Sequence, residues 1–353
     1  AGKLVRYRLD GSNVVPDTVL VLDLGEPLLK SSFTASKVYY NSFIHDNKYR
    51  CTRKFDAFNE HAQPVQYHEP YGMITSVIYQ GSTGLVNAVF NNTAIADVAY
   101  TGFESEEQGG FTYQESNVDS EGPFSAIAKT ITGSRYFKPG IVSRAVSSAG
   151  KYILSYWATS AVNVSGSACS VTNTVIGETI HGFTAYQVFL NFSSSGTVTL
   201  NSAGLLDELR LYPEAALVTS YSYQPLAGIS EVCDANNYIT RYEYDAFNRL
   251  QYTEDHFGNG MNFTEYQLRA PGNATNQNYI RHETAVVPGI SRQAFETGTL
   301  QNIQSRRVLT YLDGIGREMQ QVEVSQSPSG KDIVNFQEYD AFGRQPRSYL
   351  PYS

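Results

Sequence analysis

The chain has 353 residues, with 34 acidic against 26 basic side chains and a net charge of −8. An acidic chain without basic clusters argues against nucleic acid as a partner, since phosphate binding needs concentrated Lys and Arg. No apolar run approaches the roughly 18 residues needed for insertion into a bilayer, and Cys51, Cys169 and Cys233 offer neither a disulfide framework nor a zinc-binding spacing.

Twenty-six Tyr, 18 Phe and only 17% charged residues predict a mostly β chain, because aromatic and β-branched side chains suit half-buried pleated surfaces. No signal peptide is expected, since the chain opens Ala1-Gly2-Lys3-Leu4 without an apolar h-region. Both ends, Ala1-Gly2-Lys3-Leu4 and Leu350-Pro351-Tyr352-Ser353, read as cuts from a longer polypeptide.

In chain order, the first signal is Phe55-Asp56-Ala57-Phe58-Asn59, the first of three Asp-Ala-Phe copies. The strand-like stretches 63–67 and 72–79 follow it. From about 99 to 213 this signature vanishes. Short runs at 110–113, 124–131, 150–158, 185–192 and 196–200, separated by turn residues, predict a β-sandwich of about 100 residues. In the central run, Tyr152, Leu154, Tyr156 and Ala158 point one way and Ile153, Ser155, Trp157 and Thr159 the other. One of these faces is core, and the sequence does not say which.

The repeat signature returns at Tyr221-Ser222-Tyr223 and in full at Tyr242-Glu243-Tyr244-Asp245-Ala246-Phe247-Asn248-Arg249. Further copies are Tyr311-Leu312-Asp313-Gly314-Ile315-Gly316-Arg317 and Tyr339-Asp340-Ala341-Phe342-Gly343-Arg344. Tyr242 and Tyr244 alternate with polar residues, as on one face of a strand. Asp245 then opens a turn, where its carboxylate can accept local backbone N–H groups. Asn248 exchanges with Gly316 and Gly343, as expected at a position of positive φ. Arg249, Arg317 and Arg344 re-enter a strand within reach of Asp245, Asp313 and Asp340. The unit is strand, tight turn, strand, and the Asp/Arg pairs read as structural. Repetition at this period signals wound or stacked repeats.

This Tyr-x-Tyr-Asp-x-x-Gly/Asn-Arg pattern resembles the YD repeat of RHS (rearrangement hotspot) proteins, in the form found in large surface or secreted proteins of Bacteroidetes-type bacteria. Residues 278–353 look like the domain that often starts an RHS core. The resemblance covers roughly 1–98 and 214–353. The copy at Asp56 departs from it, with Asn59 and Glu60 where Gly and Arg are usual, which suggests a distorted or terminal unit. Family members wind many repeats into a hollow β shell around a passenger toxin, and some close it with a self-cleaving aspartate motif. This chain shows neither that motif nor enough repeats to close a shell.

The insert resembles a jelly roll of the carbohydrate-binding-module type through Tyr100-Thr101-Gly102-Phe103-Glu104 at its start and Leu206-Asp207-Glu208-Leu209-Arg210-Leu211 at its end. That resemblance implies a structural Ca²⁺ held by Glu104 and Asp207. It also makes Trp157, the sole tryptophan, the candidate glycan platform, against a reading of the ring as core.

Catalytic patterns are lacking. The six His residues are scattered, and no HExxH, nucleophile elbow, phosphate loop or dinucleotide fingerprint occurs. The sequence therefore predicts an all-β, non-enzymatic piece of a secreted or bacterial surface protein, with regions 1–98, 99–213, 214–277 and 278–353. YD hairpins in a wound sheet flank the jelly roll. The expected partners are the rest of its own chain and a toxin passenger or secretion machinery. The alternative is a glycan-binding adhesin.

Overall fold

The computed structural model describes residues 2–27, 29–40, 42–120, 130–269 and 277–353. The protein is all-β, with hairpins in extended antiparallel sheet and a sandwich inserted among them. By contacts it forms two compact units, Ala1–Ser222 and Tyr223–Ser353.

The first unit opens with an antiparallel meander of Gly2–Asp10, Asn13–Leu22, Tyr49–Phe58, Pro64–His68, Ile74–Gln80 and Leu85–Asn91. Chain order then breaks. The neighbour of Leu85–Asn91 is the strand that begins at Leu217, with Val218 opposite Phe90 and Ser220 opposite Ala88. Everything between these two partners forms the inserted module.

That module is a nine-stranded sheet folded over one core. Its longest strand, Phe183–Ser202, pairs through 184–192 with Gly150–Ala158 and through 196–202 with Gly140–Val146. Two strands thus share one edge of it end to end. Val162–Ile180 runs along its other edge. The expected runs 185–192 and 196–200 are therefore one strand, and Val162–Ile180 is a strand that its Ser/Thr/Asn-rich sequence concealed. Most of the expected strand 124–131 lies outside the described residues.

The core settles which way the central strand faces. Tyr152, Leu154, Tyr156 and Ala158 pack with Phe103, Phe137, Val188, Leu190, Val198 and Leu209 inside the sandwich. The opposite face is also covered: Ile153 packs on a second cluster of Ala88, Phe90, Val98, Tyr100, Tyr212, Ala216 and Val218. Apolar surface buried on both sides, at roughly 25 cal/mol per Å², joins the module to the meander in one compact unit.

The second unit is an antiparallel meander of Gly228–Cys233, Ile239–Tyr244, Leu250–Glu254, Gly260–Gln267, Asn278–Ala285, Ser305–Leu312, Glu318–Glu323 and Ile333–Phe336. One face is covered by a short helix, Arg292–Glu296, capped by the Ser291 hydroxyl. Its Phe295 lies against Tyr252, Phe263 and Ile290, stacked at 5.9 Å on the Phe263 ring.

Candidate functional site

The repeat turns share one hydrogen-bond pattern, and the sequence explains it. Asp245 accepts the N–H groups of Phe247 (2.8 Å) and Arg249 (3.0 Å) on Oδ1, and the Arg249 Nε–H (2.8 Å) on Oδ2. Asp313 does the same with Ile315, Arg317 and the Arg317 Nε–H at 3.0, 2.9 and 2.7 Å. Asp340 repeats it with Phe342, Arg344 and the Arg344 Nε–H at 2.9, 2.9 and 2.8 Å. The fourth residue of each turn, Asn248, Gly316 and Gly343, has φ of 60°, 86° and 76°.

These bonds set the carboxyl pKa values. Burial raises that of Asp245, but the Arg249 guanidinium and the turn amides outweigh it and hold the group below the ordinary carboxylate range. Asp313 and Asp340 are also held low, chiefly by the N–H groups of Arg317 and Arg344. Each pair is partly exposed, so its Coulomb contribution is modest.

The arginines reach further than their own turns. The Arg249 guanidinium lies over the Tyr266 ring at 3.9 Å, and that of Arg317 lies over Tyr339 at 4.4 Å. Arg249 thus reaches from its turn to the end of the strand Gly260–Gln267, and Arg317 reaches to the residue that precedes the turn at Asp340. At such partly exposed positions, stacking of this kind contributes about 0.5–1 kcal/mol.

Other turns follow the same plan with different residues. Asp255 binds the N–H groups of Phe257 and Asn259, with the Asn259 amide in place of an arginine. Asp234 binds those of Asn236 and Tyr238. The first Asp-Ala-Phe copy proves to be out of register. Asp56 lies within the strand Tyr49–Phe58 and bonds the His68 ring at 2.8 Å. The turn is three residues later, where the Asn59 side chain accepts the N–H groups of His61 (3.1 Å) and Gln63 (2.9 Å) and donates to Gln63 Oε1 (2.7 Å). Asn59 and Gln63 are neutral counterparts of Asp and Arg, so the apparent loss of the motif at 56 is a displacement.

Glu104 and Asp207 are brought to one loop, 131–135. Asp207 Oδ2 accepts the N–H groups of Ile131 (2.8 Å) and Thr132 (3.2 Å), and its Oδ1 that of Glu208 (2.7 Å). Glu104 Oε1 accepts those of Ser134 (2.8 Å) and Arg135 (2.6 Å), and its Oε2 the Ser134 hydroxyl (3.1 Å). Gly133, at φ 59°, lies where a Cβ would come 2.4 Å from the Glu104 carboxyl carbon. Asp207 is fully buried. Burial first, then the neighbouring Glu208 charge, push its carboxyl well above the ordinary range, opposed by the two loop amides.

This donor set does not fit calcium. Ca²⁺ takes 6–8 oxygen ligands, but the loop turns N–H groups toward the two carboxylates. No grouping of three or more His, Cys, Asp or Glu suited to a metal occurs among the described residues. Where a calcium ion was expected on Glu104 and Asp207, both carboxylates already accept loop N–H groups.

Trp157 is 1% exposed. Its ring is enclosed by protein.

A constellation that the sequence did not reveal lies behind Asp207. Glu208 (1% exposed) and Arg210 (0%) form a buried ion pair at 3.0 Å. Glu208 Oε1 accepts the hydroxyls of Tyr100 and Thr132, both at 2.9 Å. Glu208 Oε2 accepts the Ser220 hydroxyl (2.8 Å), and Arg210 donates to the Ser220 oxygen (2.7 Å). The network ties the first and last strands of the module to the strand that re-enters the meander. In sequence, Asp207-Glu208-Leu209-Arg210 looks like an edge strand with charges in solvent.

A family described only as a domain of unknown function (DUF6443) matches residues 283–353. No curated protein matches. Among solved structures, the chain resembles the TcdB2-TccC3-Cdc42 complex at 10% identity and a TM-score of 0.25, covering 99% of this chain and 14% of that one. It resembles the Photorhabdus luminescens Tc holotoxin pore at 11% identity and a TM-score of 0.25, covering 97% and 13%. The chain thus spans about one seventh of these proteins, and so loose a superposition says nothing of function.

Proposed function

We propose that this chain is a structural, non-catalytic segment of a larger RHS/YD-repeat protein of Bacteroidetes type that is secreted or displayed on the cell surface. Its wound hairpins contribute to a β shell or scaffold beside a passenger such as a toxin. The observation that supports this most directly is the recurrent turn, in which an Asp or Asn carries the same backbone bonds each time and the arginines at 249 and 317 stack on tyrosines further along the meander. Such an arrangement extends by adding hairpins, as repeat scaffolds do, and turn residues committed to each other are unsuited to chemistry on a substrate. Among the described residues no helix is long and apolar enough to cross a membrane.

The test is limited proteolysis of the full-length gene product, with and without this region. A scaffold beside a passenger shields a downstream segment, which becomes sensitive when 223–353 is deleted. Equal digestion in both forms refutes the reading.

A second reading, glycan-binding adhesin, has one supporting feature. An open cleft of about 400 Å³ is lined by Val171, Thr174, Ile176 and Tyr186, with the Tyr186 ring stacked at 5.2 Å on Tyr156, which is itself buried. A glycan array probed with the whole chain tests it, and absence of saturable binding removes it.

A further inference from the structure

We infer that the loop 131–135 takes the place of a metal ion, so that the inserted module closes on a peptide cation substitute and needs no calcium to fold. Glu104 follows the module's first strand, Ala99–Thr101, and Asp207 begins its last, Leu206–Pro213. These strands pair directly, with Arg210 opposite Tyr100. Two carboxylates at such a junction repel unless positive charge lies between them. A divalent ion is one solution, and a concave run of backbone N–H groups is another.

The structure assigns the second. The N–H groups of Ile131 and Thr132 point to Asp207 and those of Ser134 and Arg135 to Glu104, at 2.6–3.2 Å. Between the two pairs, Gly133 takes the left-handed backbone (φ 59°) that redirects the N–H groups from one carboxylate to the other. Two further bonds lock the loop: Thr130 Oγ donates to the Gly133 carbonyl at 3.3 Å, and Thr132 Oγ to Glu208 at 2.9 Å. Phe103, beside Glu104, also takes a left-handed backbone (φ 61°). Its ring is fully buried against Phe137 at 5.5 Å and Tyr113 at 5.3 Å. That anchor fixes where the Glu104 carboxylate can reach. A cation entering here would displace amides that already satisfy both groups.

Trp157 makes the site observable, because it lies opposite Asp207 in the strand register. Terbium, a calcium mimic, is sensitised by a nearby indole. The experiment titrates the whole chain with terbium and follows thermal melting by tryptophan emission in chelator and in millimolar calcium. The expected result is no saturable terbium luminescence and the same Tm in both buffers. Glu104→Gln and Ser134→Ala should lower Tm equally with and without calcium, Glu104→Gln by roughly 5 °C through loss of charge-assisted bonds. Saturable terbium luminescence, or a calcium-dependent rise in Tm that Glu104→Gln abolishes, would overturn the inference. The wild-type measurements decide the matter even if a variant fails to fold.

Discussion

Replacing Arg210 with Met removes a charge from a place that water does not reach. Arg210 and Glu208 are 0% and 1% exposed and lie 3.0 Å apart. Met fills much of the space of the arginine stem but leaves Glu208 as an uncompensated buried anion, one residue from the buried Asp207. Breaking a buried pair from one side costs about 3–5 kcal/mol. Changing Glu208 to Gln in the same chain removes the stranded charge. The Gln oxygen still accepts from Tyr100 and Thr132, so the double variant should cost only about 1–2 kcal/mol. The second substitution should therefore recover about 2–3 kcal/mol of the cost of the first. Equilibrium urea unfolding followed by emission measures it cleanly, because the sole tryptophan, Trp157, is buried in the same unit. A cost below about 1 kcal/mol for Arg210→Met, or a double variant no more stable than the single, would refute the reasoning.

The remaining expectations concern the turns. Asn59→Ala should abolish hydrogen-exchange protection of the His61 and Gln63 amides while Asp56→Ala spares it; the reverse would place the first turn at Asp56 after all. Ala62 holds φ 59° in that turn, so Ala62→Gly should stabilise by about 0.5–1 kcal/mol in urea unfolding, and a loss would contradict the left-handed assignment. Asp245, Asp313 and Asp340 have folded pKa values below the ordinary 3.8. Their stabilisation is thus present above that value and lost as pH falls through the lowered folded values. Near-UV circular dichroism on acidification should show a shallower loss in the triple Asn variant, and an unchanged slope would exclude these carboxylates. Arg249→Lys keeps the charge but not the planar stack on Tyr266, and should cost about 0.5–1 kcal/mol, read by hydrogen exchange in Leu250–Glu254; unchanged protection there would deny the stack a role.

Turn chemistry was the most legible part of the sequence, because it is local. The exchange of Asn248 with Gly316 and Gly343 signals a left-handed residue, and an Asp four residues before an Arg signals a closed ring of bonds. The turn at 59–63 was hidden because Asn and Gln do the work of Asp and Arg without charge, while a decoy Asp-Ala-Phe lies just upstream. Val162–Ile180 escaped notice for another reason. It pairs only with Phe183–Ser202 and is mostly exposed, so no buried face imposes alternation on its composition. Glu208 and Arg210 alternate with Leu209 and Leu211 like solvent-facing charges. Only the strand re-entering the meander, which brings Ser220 over them, makes their side buried too. The covering of Ile153 is likewise a tertiary fact, since the second cluster is built from residues on both sides of the insert in sequence.

The reach of Arg249 to Tyr266 and of Arg317 to Tyr339 has a mechanical consequence. In a simple meander, pulling on one end removes hairpins singly, each held by its own ladder. Here freeing the hairpin of Arg249 or of Arg317 also breaks a stack on a tyrosine further along the chain, at about 0.5–1 kcal/mol each. Under force, those two hairpins of 223–353 should therefore give way slightly later than hairpins held by their ladders alone.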